Sequence, residues 1–280
     1  MKKNIVQILL ITVLLPQAYA LRWPVDSPVV AESFGEIKNG NFSSTITIRS
    51  ADGKIYAISD GQLVYMSGNE ADPELNIVIL EHENGLRSIY RNFFPLPSIP
   101  ADLKEGVQIG TGPSVELEIL DTRSGEIGNP LLLLPQLPDK RSPEIERLAF
   151  YDNGRFQNIR KGMRTVSGKK QILLKVYDRH NDEQLLPFSI SLYIDSRKVQ
   201  EYVFESLKYL DGRYQFPWAE GKQIFIEIDG IVYINLGEFF ILPGETRLEL
   251  YAEDLAENRA SVDVRITAVR PRENSGEGQR

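Results

Sequence analysis

The side chains with the clearest capacity for chemistry lie in residues 106–119, GVQIGTGPSVELEI. Ser114, Glu116 and Glu118 alternate there with Val115, Leu117 and Ile119, the period-2 pattern of a half-buried strand. Carboxylates at that spacing share one face, where they are candidate bases or hard-metal ligands. A second carboxylate-rich stretch, Glu81-His82-Glu83, allows a metal site to be drawn between the two strands. The simpler expectation is a solvated strand face, with His82 at a polar turn or surface position. A catalytic zinc site needs about three nitrogen or oxygen ligands and an open position for water. The chain has only two histidines, His82 and His180, and they fall in different predicted units. Ser114 has no histidine or cysteine beside it, so nothing in the sequence activates it as a nucleophile.

The elements that must position these residues are short strands. Residues 44–50, 54–59, 62–67, 76–82 and 86–93 are alternating apolar runs separated by Asp52-Gly53, Asp60-Gly61 and Asn84-Gly85, pairs suited to positive-φ hairpin turns. No run carries a convincing helical period, which predicts an all-β unit over residues 21–135. Four prolines within residues 130–143 exclude a central strand there and place a linker at 136–143. Beyond it, runs at 144–151, 171–178, 188–195, 199–205, 223–229, 231–237, 246–254 and 260–269 predict a second β-sandwich over 144–269. Residues 270–280 lack apolar side chains and read as a disordered tail.

Residues 1–20 combine Lys2 and Lys3, an apolar run and Ala18-Tyr19-Ala20, the order of a secretory signal with cleavage after Ala20. The run is shorter than the ~20 apolar residues a membrane span requires, so no membrane anchor is expected after cleavage. Cysteine is absent, which removes disulfides and lipid-modified cysteine. The formal charge of −7 becomes −9 once Lys2 and Lys3 are removed. An acidic chain without basic clusters is a poor partner for nucleic acid or anionic lipid.

The ordered pieces WPVDSPVVAESFG, ADGKIYAISDGQLVY, EHENGLRSIYRNF, LKEGVQIGTG, VELEI and GNPLLLLP, spread over residues 23–135, together resemble the lysostaphin/LytM-type zinc endopeptidases that cut peptidoglycan. The resemblance implies a β-sheet peptidase-like domain. In that family zinc is held by a His-x-x-x-Asp pair and by the second histidine of a His-x-His strand, and two further histidines assist catalysis. The matching positions in this chain are Ser43 and Thr47, Ser114 and Glu116, and Asn92 after Tyr90. Every one of them is changed, and neutral hydroxyls do not compensate for dehydrating a zinc ion. The expected cofactor is therefore none, with the family zinc lost and no catalytic or metal residues retained.

In the second unit, ELYAEDLAENRASVDV at residues 249–264 resembles the closing hairpin of bacterial immunoglobulin-like modules. Asp254 and Asn258 would shape its turn. A calcium role for Asp254, Glu257 and Asp263 is the sparse alternative. Aromatics such as Tyr193, Tyr202, Phe204, Phe225, Tyr233, Phe239 and Phe240 fit core and sheet-face packing. These features predict an exported, periplasmic or cell-envelope protein without catalysis. Its expected partner is peptidoglycan or a cell-wall hydrolase, met through the former groove around Ser43, Thr47, Asn92, Ser114 and Glu116. The alternative is an active metalloendopeptidase with an unusual metal site.

Overall fold

Alternation along the chain becomes a wholly β architecture. The computed structural model describes residues 21–38, 40–152, 154–219 and 221–271, and the predicted signal and nearly all of the predicted tail lie outside these. Among the described residues the only helical pieces are short 3₁₀ turns, and no helix is long and apolar enough to cross a membrane.

The main sheet runs in the order Asp102–Leu103, Gly61–Ser67, Ile77–Glu81, Leu86–Arg91, Ser114–Asp121, Glu126–Gly128, Ser206–Leu210 and Arg213–Gln215. Ser114–Asp121 has two neighbours on one edge. Its first half pairs with Ile46–Arg49, which in turn pairs with Val29–Glu32, and its end pairs with Glu126–Gly128. Val115, Leu117 and Ile119 are buried at 0%, 0% and 1% exposure, as the alternation requires. Gly53 and Gly85 have φ of 71° and 78° and turn their hairpins as expected. Gly61 does not. Its backbone is not left-handed, and its lack of a side chain lets it approach Glu81, whose carbonyl oxygen would lie 2.8 Å from an added Cβ.

The eight runs predicted beyond residue 143 are all strands. One sheet joins Glu144–Asp152, Gly168–His180, Ile231–Ile241 and Phe225–Ile228, and the other joins Arg259–Val269, Gly244–Glu253, Ser189–Ile194 and Arg197–Val203. Residues 135–143 form no strand. Tyr202, Phe204, Phe225 and Tyr233 are buried, whereas Phe240 is 68% exposed and does not belong to the core.

The hairpin Ser206–Leu210/Arg213–Gln215 lies outside the runs expected to be strands. It leaves the second half and pairs with Glu126–Gly128, extending the main sheet. Asp211 and Gly212, with φ of 50° and 80°, make its turn. This crossing gives the two halves one continuous buried cluster. Phe34 and Phe42 from the first half meet Phe216 from the second, which packs in turn on Phe204 and Trp218.

Candidate functional site

Antiparallel register puts four polar side chains in a row across one sheet face: Glu32 opposite Thr47, Thr47 opposite Glu116, and Glu116 opposite Arg91. Ser114, opposite Arg49, begins the next row. The Thr47 hydroxyl and the Lys38 ammonium both donate to the Glu32 carboxylate. Burial works against ionisation of Glu32, but these bonds outweigh it and hold its carboxyl below the ordinary value. Lys38 Nζ also stands 4.0 Å from Glu116 Oε1, so a fixed positive charge already sits between the two carboxylates.

Ser43 is buried nearby, with its hydroxyl 3.1 Å from the Thr45 carbonyl and 3.2 Å from the Thr45 hydroxyl. Ser43 and Glu116 line one hollow of about 370 Å³ with Lys38, Arg91, Glu118 and Tyr214. Thr47 and Ser114 line another with Glu32, Arg49 and Glu183. Asn92 lines neither. It follows the Leu86–Arg91 strand at φ 60°, a left-handed turn position that asparagine tolerates.

The expectation of a solvated Glu116/Glu118 face is corrected at Glu118, which is 4% exposed. It accepts from the Ser44 hydroxyl and lies 3.7 Å from Arg91. Burial pushes its carboxyl pKa up, against the pull of Ser44 and Arg91. The cover comes from the crossing hairpin, whose Tyr209 and Tyr214 line the same hollow with ring centroids 5.2 Å apart. The second half also reaches the other hollow, where Glu183 pairs with Arg49 at 2.5 Å. Sequence reasoning missed Glu32, Lys38, Glu183 and both tyrosines. For the hairpin a signal existed: Asp211-Gly212 stands between LKYL and RYQ.

This donor set does not fit a catalytic zinc ion. The hydroxyls of Ser43 and Thr47 are committed to neighbours, and an ammonium competes with any cation at Glu32 and Glu116.

Three comparisons with known proteins accompany this geometry. A family model that carries no description matches residues 142–269. No curated protein matches the chain. Among solved structures, lysostaphin in solution is similar at 12% identity and a TM-score of 0.35, over 86% of this chain and 95% of lysostaphin. A chain from the SpoIIQ–SpoIIIAH pore-forming complex is similar at 21% identity and a TM-score of 0.35, over 42% of this chain and 92% of that one. A zinc-containing peptidase from Vibrio cholerae is similar at 16% identity and a TM-score of 0.31, over 37% of each chain. Superpositions this loose transfer no site.

His82 is 5% exposed and not at the surface, a second correction. Its Nδ1 lies 2.6 Å from the Asp60 carbonyl, which can only accept, so Nδ1 carries the proton. Its Nε2 then accepts from the Ser88 hydroxyl at 2.8 Å. With both ring nitrogens engaged, His82 ties the Ile77–Glu81/Leu86–Arg91 hairpin to Asp60 and is no metal ligand. Burial holds its pKa below the ordinary 6.5, outweighing the pull of Asp60. Below pH 6.5 the folded state therefore binds fewer protons than the unfolded one. The stabilisation from neutral His82 is complete above that value and is lost as pH falls through the lowered folded pKa. Glu118 acts oppositely, weakening folding as pH rises above 4.5. The parent-minus-His82→Gln difference in denaturation free energy isolates the histidine. It is expected to shrink between about pH 7 and about pH 5, and a difference flat across that range contradicts the assignment.

Proposed function

We propose that this chain is a non-catalytic cell-envelope protein. In this reading, residues 21–135 are a degenerate lysostaphin/LytM-type domain, and residues 144–269 are an immunoglobulin-like sandwich whose crossing hairpin covers part of the former groove. The protein is exported by residues 1–20 to the periplasm or cell envelope. It binds peptidoglycan or a cell-wall hydrolase and does not cut the wall. The observation that carries the reading is the Glu32–Thr47–Glu116–Arg91 row. At Thr47 and Glu116, where the resemblance implies metal ligands, the Thr47 hydroxyl donates to Glu32, and Lys38 pairs with Glu32 and stands 4.0 Å from Glu116.

The binding face in this reading is composite. Tyr209, 63% exposed at the hairpin edge, supplies a large amphipathic anchor beside the hollow that holds Glu116. A stable protein complex there would bury on the order of 1,200–2,000 Å². The test is co-sedimentation of residues 21–280 with purified sacculi, together with stimulation of a cell-wall amidase. One of the two is expected, and Tyr209→Ala should weaken it at least about tenfold, as loss of an aromatic anchor does. Absence of both activities, or a Tyr209→Ala variant equal to the parent, overturns the reading.

A further inference from the structure

A group outside the Glu32–Thr47–Glu116–Arg91 row shows a different chemistry. Asp139, Asp178 and Asp254 each present a carboxylate oxygen, and these oxygens all lie within 4.8 Å of one another. Asp178 and Asp254 are buried, and the three line a hollow of about 90 Å³ with Trp23 and His180. Among the described residues, none of the three has a basic group within ion-pair distance.

Two of the carboxylates have turn partners. Asp139 Oδ1 accepts from the Arg141 amide at 2.9 Å, and the Asp254 oxygens accept from the Asn258 amide and side chain, each at 2.8 Å. The Asp254–Asn258 turn is the one expected from the sequence. The calcium set suggested there is not formed, because Asp263 pairs with Arg247 at 2.7 Å. Asp178 is different. Its Oδ1 is buried without a hydrogen-bond partner, on a side chain 9% exposed that lines the hollow.

A buried carboxylate oxygen beside two others is relieved by a proton or by a cation. No hydrogen bond links Asp178 to Asp139 or Asp254 among the described residues, so neither neighbour relieves it. A calcium ion holds oxygens at about 2.3–2.6 Å, so two of its ligands stand at most about 5 Å apart. The three oxygens, all within 4.8 Å of one another, fall inside that limit. Magnesium keeps several of its waters and is seldom held by an all-protein carboxylate set. The hollow also leaves room for water to complete the shell.

We infer that Asp139, Asp178 and Asp254 form a calcium site that pins the connecting segment 136–143 onto the second half. Asp139 belongs to that segment, Asp178 to the Gly168–His180 strand, and Asp254 follows the Gly244–Glu253 strand. The site is independent of the function proposed above.

The test uses residues 21–280 stripped with chelator and titrated with terbium, whose emission is excited through Trp23 in the same hollow. Emission is expected to saturate at one equivalent and to be displaced by calcium with a Kd of about 0.1–1 mM. Calcium should also slow tryptic cleavage at Lys140 and Arg141. Asp178→Asn and Asp139→Asn are each expected to weaken binding at least about tenfold, while Asp263→Asn matches the parent. Asp139→Asn, at a half-exposed position, keeps the test valid should Asp178→Asn fail to fold. No saturable emission, no protection by about 10 mM calcium, or undiminished binding in Asp139→Asn overturns the inference.

Discussion

Phe216→Ala is expected to lower stability by about 3–5 kcal/mol, the cost of emptying a buried aromatic position that its surroundings cannot refill. Phe216 is 0% exposed. Its ring meets Phe42 edge-on at 4.9 Å and Phe204 at 5.1 Å, and stacks on Trp218 at 5.1 Å. Gly35 approaches so closely that a Cβ there would lie 2.6 Å from Phe216 Cζ. The position joins the halves, because Phe42 belongs to the first and Trp218 to the second. Urea unfolding followed by tryptophan fluorescence should show the loss as a lower midpoint, with the halves unfolding less cooperatively. A cost below about 1 kcal/mol would mean that this aromatic cluster does not hold the halves together.

Gly110→Ala is expected to cost about 3 kcal/mol, at the upper end for overpacking a core. The reason is distance. A Cβ at Gly110 would stand 2.3 Å from Phe93 Cε2 and 2.4 Å from the Phe94 carbonyl oxygen. Phe93 is 0% exposed and packs against Tyr90, so its ring has nowhere to swing. The strand cannot retreat either, because Gly110 is paired with Pro95 on one side and Ile55 on the other. Adding Phe93→Leu should recover part of the loss, since the ring clash is relieved and the carbonyl clash is not. Equal midpoints for Gly110→Ala and the parent would contradict the packing described.

Much of the architecture is legible in the chain because it is local. The alternation over residues 114–119 places Val115, Leu117 and Ile119 in the core, and the positive φ of Gly53 and Gly85 follows from Asp-Gly and Asn-Gly pairs. The Asp254–Asn258 turn is local in the same sense. What escapes the sequence is set by chain segments far apart. Glu118 has the pattern of a solvated residue and is buried because a hairpin about ninety residues later folds over it. His82 looks like a turn residue, and only the approach of Asp60 and Ser88 encloses it. Lys38 at Glu32 and Glu116, and the meeting of Asp139, Asp178 and Asp254, leave no local signature at all. For the candidate site, the residue types were readable from the chain, but not their commitment to one another.

The central claim is that the face bearing Ser43, Thr47, Ser114 and Glu116 holds no hydrolytic metal, because the Ser43 and Thr47 hydroxyls are bonded and Lys38 supplies the positive charge. The most direct measurement equilibrates tag-free residues 21–280 with excess zinc, dialyses, and follows both metal content and release of soluble fragments from cross-linked sacculi. The account predicts no zinc bound through these residues and no fragments above the protein-free control. One equivalent of zinc retained together with wall cleavage, both lost in Glu116→Ala, would contradict it.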